Sequence, residues 1–171
     1  ESESASSVVP DHGFGVQGKV TLDGFTNPFK RDLYQINSLA IGGPTAGPTI
    51  TDTVGSAIHL NSGGVVDSDY GMAIHDEYQS ISHAGWATDL DFDSQGRAVG
   101  ISAYPFGLTH SSWIFRLTRN GKTDRTFGRR GFVEVANNFY NRPDFARQTA
   151  LEIDQRGRYV VGGRTEYGRS I

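Results

Sequence analysis

Apolar and other positions alternate along this chain in short runs, and turn residues break the pattern every few positions. Leu39-Ala-Ile41, Leu90-Asp-Phe92 and Leu151-Glu-Ile153 each place two apolar side chains on the same side of the chain, as a strand with one buried face requires. The last two run on into Asp93-Ser-Gln-Gly96-Arg97 and Asp154-Gln-Arg-Gly157-Arg158, then into Ala98-Val-Gly-Ile101 and Tyr159-Val-Val161. This reads as strand, Asp-x-x-Gly turn, strand. The Asp carboxylate can accept from the turn amides, and Gly takes the positive φ of a tight hairpin. Gly42-Gly43-Pro44 replaces that turn after Ile41, so the strand beyond it is the least defined. Apolar spacing at i, i+3, i+4, i+7 is absent, and Gly or Pro interrupts most candidate helices. The pattern predicts an all-β chain.

Self-comparison reveals a longer period. Asp11-His-Gly-Phe14-Gly15-Val-Gln-Gly18-Lys-Val20 matches Asp124-Arg-Thr-Phe127-Gly128-Arg-Arg-Gly131-Phe-Val133, at an offset of 113 (127 − 14). Midway, Ile58-His-Leu60 through Gly63-Gly64, Asp67 and Tyr70-Gly71 aligns without gaps on Phe115-Arg-Leu117 through Asn120-Gly121, Asp124 and Phe127-Gly128, shifted by 57 (115 − 58). Three degenerate units follow, at about residues 11–66, 67–123 and 124–171, behind a polar tail at 1–10. Each unit holds about four expected strands. These are the segment after Phe/Tyr-Gly (Gly18–Leu22, Ala73–Ile74, Gly131–Val135), the Leu-x-Ile/Phe strand, the strand after Asp-x-x-Gly, and an aromatic-rich last strand. The last strand is expected at Trp113–Leu117 and Ala57–Leu60 and has no counterpart in the third unit. Four antiparallel strands in repeated units of about 40 to 60 residues are the pattern of β-propeller blades.

The stretch Phe115-Arg116-Leu117, Arg119-Asn-Gly121 and Asp124-Arg-Thr-Phe127-Gly128-x-x-Gly131-Phe-Val133, with Leu151-Glu-Ile153-Asp154 to Val160-Val161-Gly162-Gly163, resembles the delta-60 β-propeller repeat family of bacterial, often surface or secreted, proteins. The likeness covers most of the chain, is closest in the third unit and is weak across residues 42–57 and 76–86. Asp-x-x-Gly stands where the family has Asp-Gly, and Arg97 and Arg158 stand where it has Lys. The resemblance implies propeller blades and an extracellular setting, and it brings no catalytic residues.

Composition narrows the function classes. Of 171 residues, 36% are hydrophobic, and the formal net charge is −3 with both signs scattered. No basic stripe is available to neutralise a phosphate backbone, so nucleic acid is not an expected partner. No run approaches the ~18 apolar residues of a membrane span. The absence of cysteine removes disulfides and thiolate chemistry. Glu1-Ser-Glu-Ser-Ala-Ser-Ser7 reads as the stub of a removed signal peptide or of a trimmed chain. Together with the resemblance, this makes a secreted, periplasmic or cell-surface location the expectation.

Candidate chemistry is sparse. His75-Asp76-Glu77 with His83 could gather imidazole and carboxylate around zinc, copper or iron. No His-x-x-x-His spacing supports this, and an ordinary surface loop is the competing reading. Asp89, Asp91 and Asp93 alternate along one strand and could offer oxygens to calcium. Asp93 is also the hairpin residue, and Glu152 and Asp154 at matching positions favour a structural use. No nucleophile elbow or phosphate-cradling loop occurs, and no cofactor is expected beyond such a cation. Tyr104, Phe106, Phe139 and Tyr140 fall in expected inter-strand loops, where aromatics contact partners or sugars. Phe14, Tyr70 and Phe127 recur beside a glycine, a placement that favours a core plug between sheets over ligand stacking.

Three blades are too few to close a ring, since propellers usually have at least about four. The expectation is therefore an incomplete ring, completed by another chain or a second copy. The leading functional expectation is a non-enzymatic binding or structural module. A propeller hydrolase using a metal or acid/His site in an axial channel, and a surface-assembly subunit docking through its open blade edge, are the alternatives.

Overall fold

The computed structural model describes residues 11–20, 36–42, 47–52, 57–68, 70, 86–103, 109–139 and 147–164. Among them there is no helix, and therefore none long and apolar enough to cross a membrane. Ten strands make three antiparallel sheets. The first joins β1 (Ile36–Ile41), β2 (Pro48–Asp52), β3 (Ala57–Leu60) and β4 (Val66–Asp67) in chain order. The second joins β5 (Trp86–Phe92), β6 (Ala98–Ala103), β7 (Thr109–Arg116) and β8 (Phe132–Phe139). The third pairs β9 (Arg147–Ile153) with β10 (Tyr159–Arg164).

The Asp-x-x-Gly segments form the expected hairpins. Asp93 Oδ1 accepts from the amides of Gln95 (2.9 Å) and Arg97 (3.0 Å), and Oδ2 accepts from Arg97 Nε (2.7 Å). Asp154 repeats this arrangement with Arg156 and Arg158. Gly96 and Gly157 supply the positive φ (70° and 72°) that closes each turn. β2 is five residues long although no Asp-x-x-Gly turn precedes it. Its Thr49, Ile50 and Thr51 are all buried, so the polar face that the two threonines mark in the sequence is covered in the fold.

The Phe-Gly-x-x-Gly segments share one backbone. Gly15, Gln17 and Gly18 all have positive φ, as do Gly128, Arg130 and Gly131. The amides of Val16 and Arg129 donate to the carbonyls of Lys19 and Phe132. This turn sends the chain back beside the strand that preceded it. β8, which the sequence places in the third unit, consequently closes the second sheet against β7. Unit borders in the sequence and sheet borders in the fold are out of step by one strand.

The three first strands, β1, β5 and β9, lie side by side. β5 packs on β1 and β2, and β9 packs on β5 and β6. Each first strand carries a register shift at the same place, two residues before its Leu: between Ile36 and Ser38, between Ala87 and Asp89, and opposite Gly162/Gly163. Bulges of this kind sharpen strand twist. One apolar cluster gathers Ala40 and Ala57 of the first sheet with Leu90, Ala98 and Phe115 of the second, around Tyr70. A second gathers Val99, Ile101 and Ile114 with Leu151 of the third sheet, and Phe127 packs on it. Phe14 packs on the first sheet against Ile50, Ile58 and Leu60, the side that corresponds to the Phe115–Leu117 face of the second. Tyr70 and Phe127 thus lie between sheets, as a plug would, whereas Phe14 packs on the first sheet alone.

Candidate functional site

The most elaborated polar arrangement among the described residues runs along the first strands of the sheets. Among the described residues β9 pairs with β10 on one side only, which leaves edge amides on the other. Asp89 and Asp91 of β5 fill that edge. Asp89 Oδ2 accepts from the Leu151 amide (2.7 Å), and Asp91 Oδ2 accepts from the Ile153 amide (2.9 Å). Their other oxygens accept from the next residue of β5 itself, Leu90 (2.9 Å) and Phe92 (2.7 Å). The Ser38 hydroxyl of β1 donates to Asp89 Oδ1 (2.6 Å). Each carboxylate thus bridges two strand edges that share no backbone ladder.

This arrangement also accounts for the alternating aspartates. Asp91 is committed to two backbone amides, and Asp93 to the hairpin and Arg97. Among the described residues, no group of three or more His, Cys, Asp or Glu side chains comes together. His75, Asp76, Glu77 and His83 lie outside the described residues, as do Tyr104, Phe106 and Tyr140. Phe139, expected in a loop, instead ends β8 opposite Thr109. β7 begins at Thr109, ahead of the expected Trp113, and offers β8 additional backbone partners.

A second polar cluster lies between the second and third sheets. Arg116 Nε donates to Asp124 Oδ2 (2.8 Å), and its guanidinium carbon sits 4.5 Å from the centre of the Phe127 ring. Nη1 of Arg116 reaches the Tyr159 hydroxyl (3.4 Å), and Tyr159 meets Phe127 edge-on. Burial opposes the charge of Asp124. Donation from the Thr126 hydroxyl and amide and from Arg116 outweighs it, holding the carboxyl below its ordinary range. The cluster clamps the Asp-x-x-Phe turn onto the neighbouring sheet, a role the sequence could not reveal because Arg116 and Tyr159 are 43 positions apart.

In the first sheet, His59 occupies the position of Arg116. It is fully buried, its Nδ1 lies 2.7 Å from Thr49 Oγ1, and its ring centre lies 4.8 Å from that of Tyr70. Burial lowers the His59 pKa, and the negative charge of Asp67 works against that shift. Burial, reinforced by Asp67, raises that of Tyr70. An imidazole that burial biases towards its neutral form thus stands where the second sheet has an ion-paired guanidinium.

In comparisons with known proteins, no family model, no curated protein and no solved structure matches this chain.

Proposed function

We propose that the chain is a run of β-propeller blades serving as a non-enzymatic binding or structural module of a secreted or surface bacterial protein. The observation that carries this reading is the line β1–β5–β9. Three sheets lie against one another through their first strands, with a bulge at the same position in each and carboxylates spanning an inner edge. Sheets arranged around an axis place their first strands in this way. The resemblance to delta-60 repeats agrees with it and suggests the extracellular setting. The polar groups with defined partners, Asp89, Asp91, Asp93, Asp124 and Arg116, act on backbone amides or on one another. They read as scaffold, and binding specificity on such a scaffold resides in variable loops.

A crystal structure tests the architecture. The expected result is β1, β5 and β9 fanned about one axis; sheets stacked as a two-layer sandwich would overturn it. Turnover assays test the rest. Ester and lactone substrates with added calcium or zinc should be hydrolysed no faster than in buffer. Saturable hydrolysis that persists through purification would overturn the non-enzymatic reading.

A further inference from the structure

The two sheet-to-sheet joints inside the chain share their strand packing; Ser38 and Ala40 of β1 stand where Asp89 and Asp91 of β5 cap β9, so the carboxylate cap belongs to the second joint. At each, the first strand of one sheet packs on the first two strands of the sheet before it: β5 on β1 and β2, and β9 on β5 and β6. The Leu of the incoming strand is buried there, Leu90 at 3% exposure and Leu151 at 4%. Val99 of the receiving sheet is fully buried in the cluster that holds Leu151.

The ends of this series carry the two unmatched halves of such a joint. On β1, Leu39 (59% exposed) and Ile41 (67%) stand where Leu90 and Phe92 stand on β5. On β10, Val160 (50% exposed) stands where Val99 stands on β6: Val99 pairs with Asp91, and Val160 pairs with Glu152. Glu152 is exposed and holds the position of Asp91, the residue that caps the Ile153 amide. Among the described residues, one end thus presents an exposed apolar strand with no receiving face. The other presents a receiving face, with a carboxylate at the capping position.

We infer that a second copy of this chain docks head-to-tail, β1 of one copy on β9 and β10 of the other, with Leu39 against Val160 and Glu152 directed at the Ile41 amide. The inference rests on the blade reading above. It commits to a second copy because the two exposed half-joints, both carried by this chain, match each other position for position. A contact between unlike patches closes into a ring when its rotation allows. Two copies of three sheets give six, within the propeller range of about four to eight.

Native mass spectrometry of the intact chain at tens of micromolar tests it. The expected species is twice the 18.6 kDa chain mass. Leu39→Asp and Val160→Lys should each weaken association about 30-fold or more with an unchanged circular dichroism spectrum. A folded monomer would overturn the inference, and so would a dimer indifferent to both substitutions. Larger assemblies dispersed by either substitution would support the joint. Hydrogen exchange at Leu151 and Ile153 separates this failure from that of the blade reading. Slow exchange that Asp89→Ala and Asp91→Ala accelerate, in a monomeric protein, leaves the internal joints standing and removes only the second copy. Fast exchange at both amides from the outset removes the blade reading itself.

Discussion

Thr51 and Ser102 bury hydroxyl oxygens that have no hydrogen-bond partner among the described residues. Thr51 pairs with Ser38 as Ile101 pairs with Asp89, so an apolar side chain serves at the matching place in the second sheet. A buried hydroxyl without a partner costs on the order of 1–3 kcal/mol of desolvation, and an apolar group of the same shape removes that cost. Thr51→Val is expected to raise unfolding stability by about 1 kcal/mol. It would appear as a higher urea midpoint at unchanged slope, and a lower midpoint would refute the assignment. Glycine also has a steric role here. The ring of Phe115 lies directly over Gly100 where a β-carbon would stand, so the Val-Gly-Ile order of β6 is fixed by its neighbour.

Individual strands were the most legible level of the sequence. β5, β6, β9 and β10 follow from Leu-x-Phe/Ile alternation and the Asp-x-x-Gly turn, because both signals are local. β2 was obscure because Gly42-Gly43-Pro44 stands where the other units have Asp-x-x-Gly, and the Thr49-Ile50-Thr51 alternation that remains is short. The membership of β8 was hidden because pairing with β7 is a relation between units, which a repeat boundary does not record. Among candidate site residues, Asp93 could be read as a hairpin residue from its Gly96. Asp89 and Asp91 showed only as an oxygen-rich face, because the β9 amides they bridge to lie 62 positions away. The structure therefore predicts an element-level effect. Asp91→Ala orphans the edge amides of Phe92 and Ile153 and should cost about 2–4 kcal/mol. Asp91→Asn keeps one acceptor oxygen and should cost less. Faster exchange of the Ile153 amide in both variants, larger in the alanine, is the check.

Across the whole molecule, acid stability reflects the two clamps. His59 has a native pKa below its unfolded value of 6.5, so the unfolded chain takes up a proton before the native one. Stability from this group is fully present above about pH 6.5 and declines as pH falls from there towards the lowered native value. Asp124 behaves as a depressed carboxylate. Its contribution is present above its unfolded pKa of 3.8 and is lost only as pH falls through the lower native value. Chemical melts from pH 7.5 to 5 should show a decline that His59→Gln flattens, and the wild-type curve lying flat over that range would contradict the buried-histidine clamp.

Within a sheet, a continuous ladder of backbone hydrogen bonds carries the load; between the second and third sheets it falls to two carboxylates, the Arg116–Tyr159 contact and an apolar patch, and between the first and second to the Ser38–Asp89 bond and an apolar cluster. Pulled from its two ends, the polypeptide would give way at those seams first, shedding one sheet at a time while the rest held. Mechanical resistance would then arrive in steps whose number counts the sheets, and the step that parts the second sheet from the third would soften when Asp89 and Asp91 are replaced.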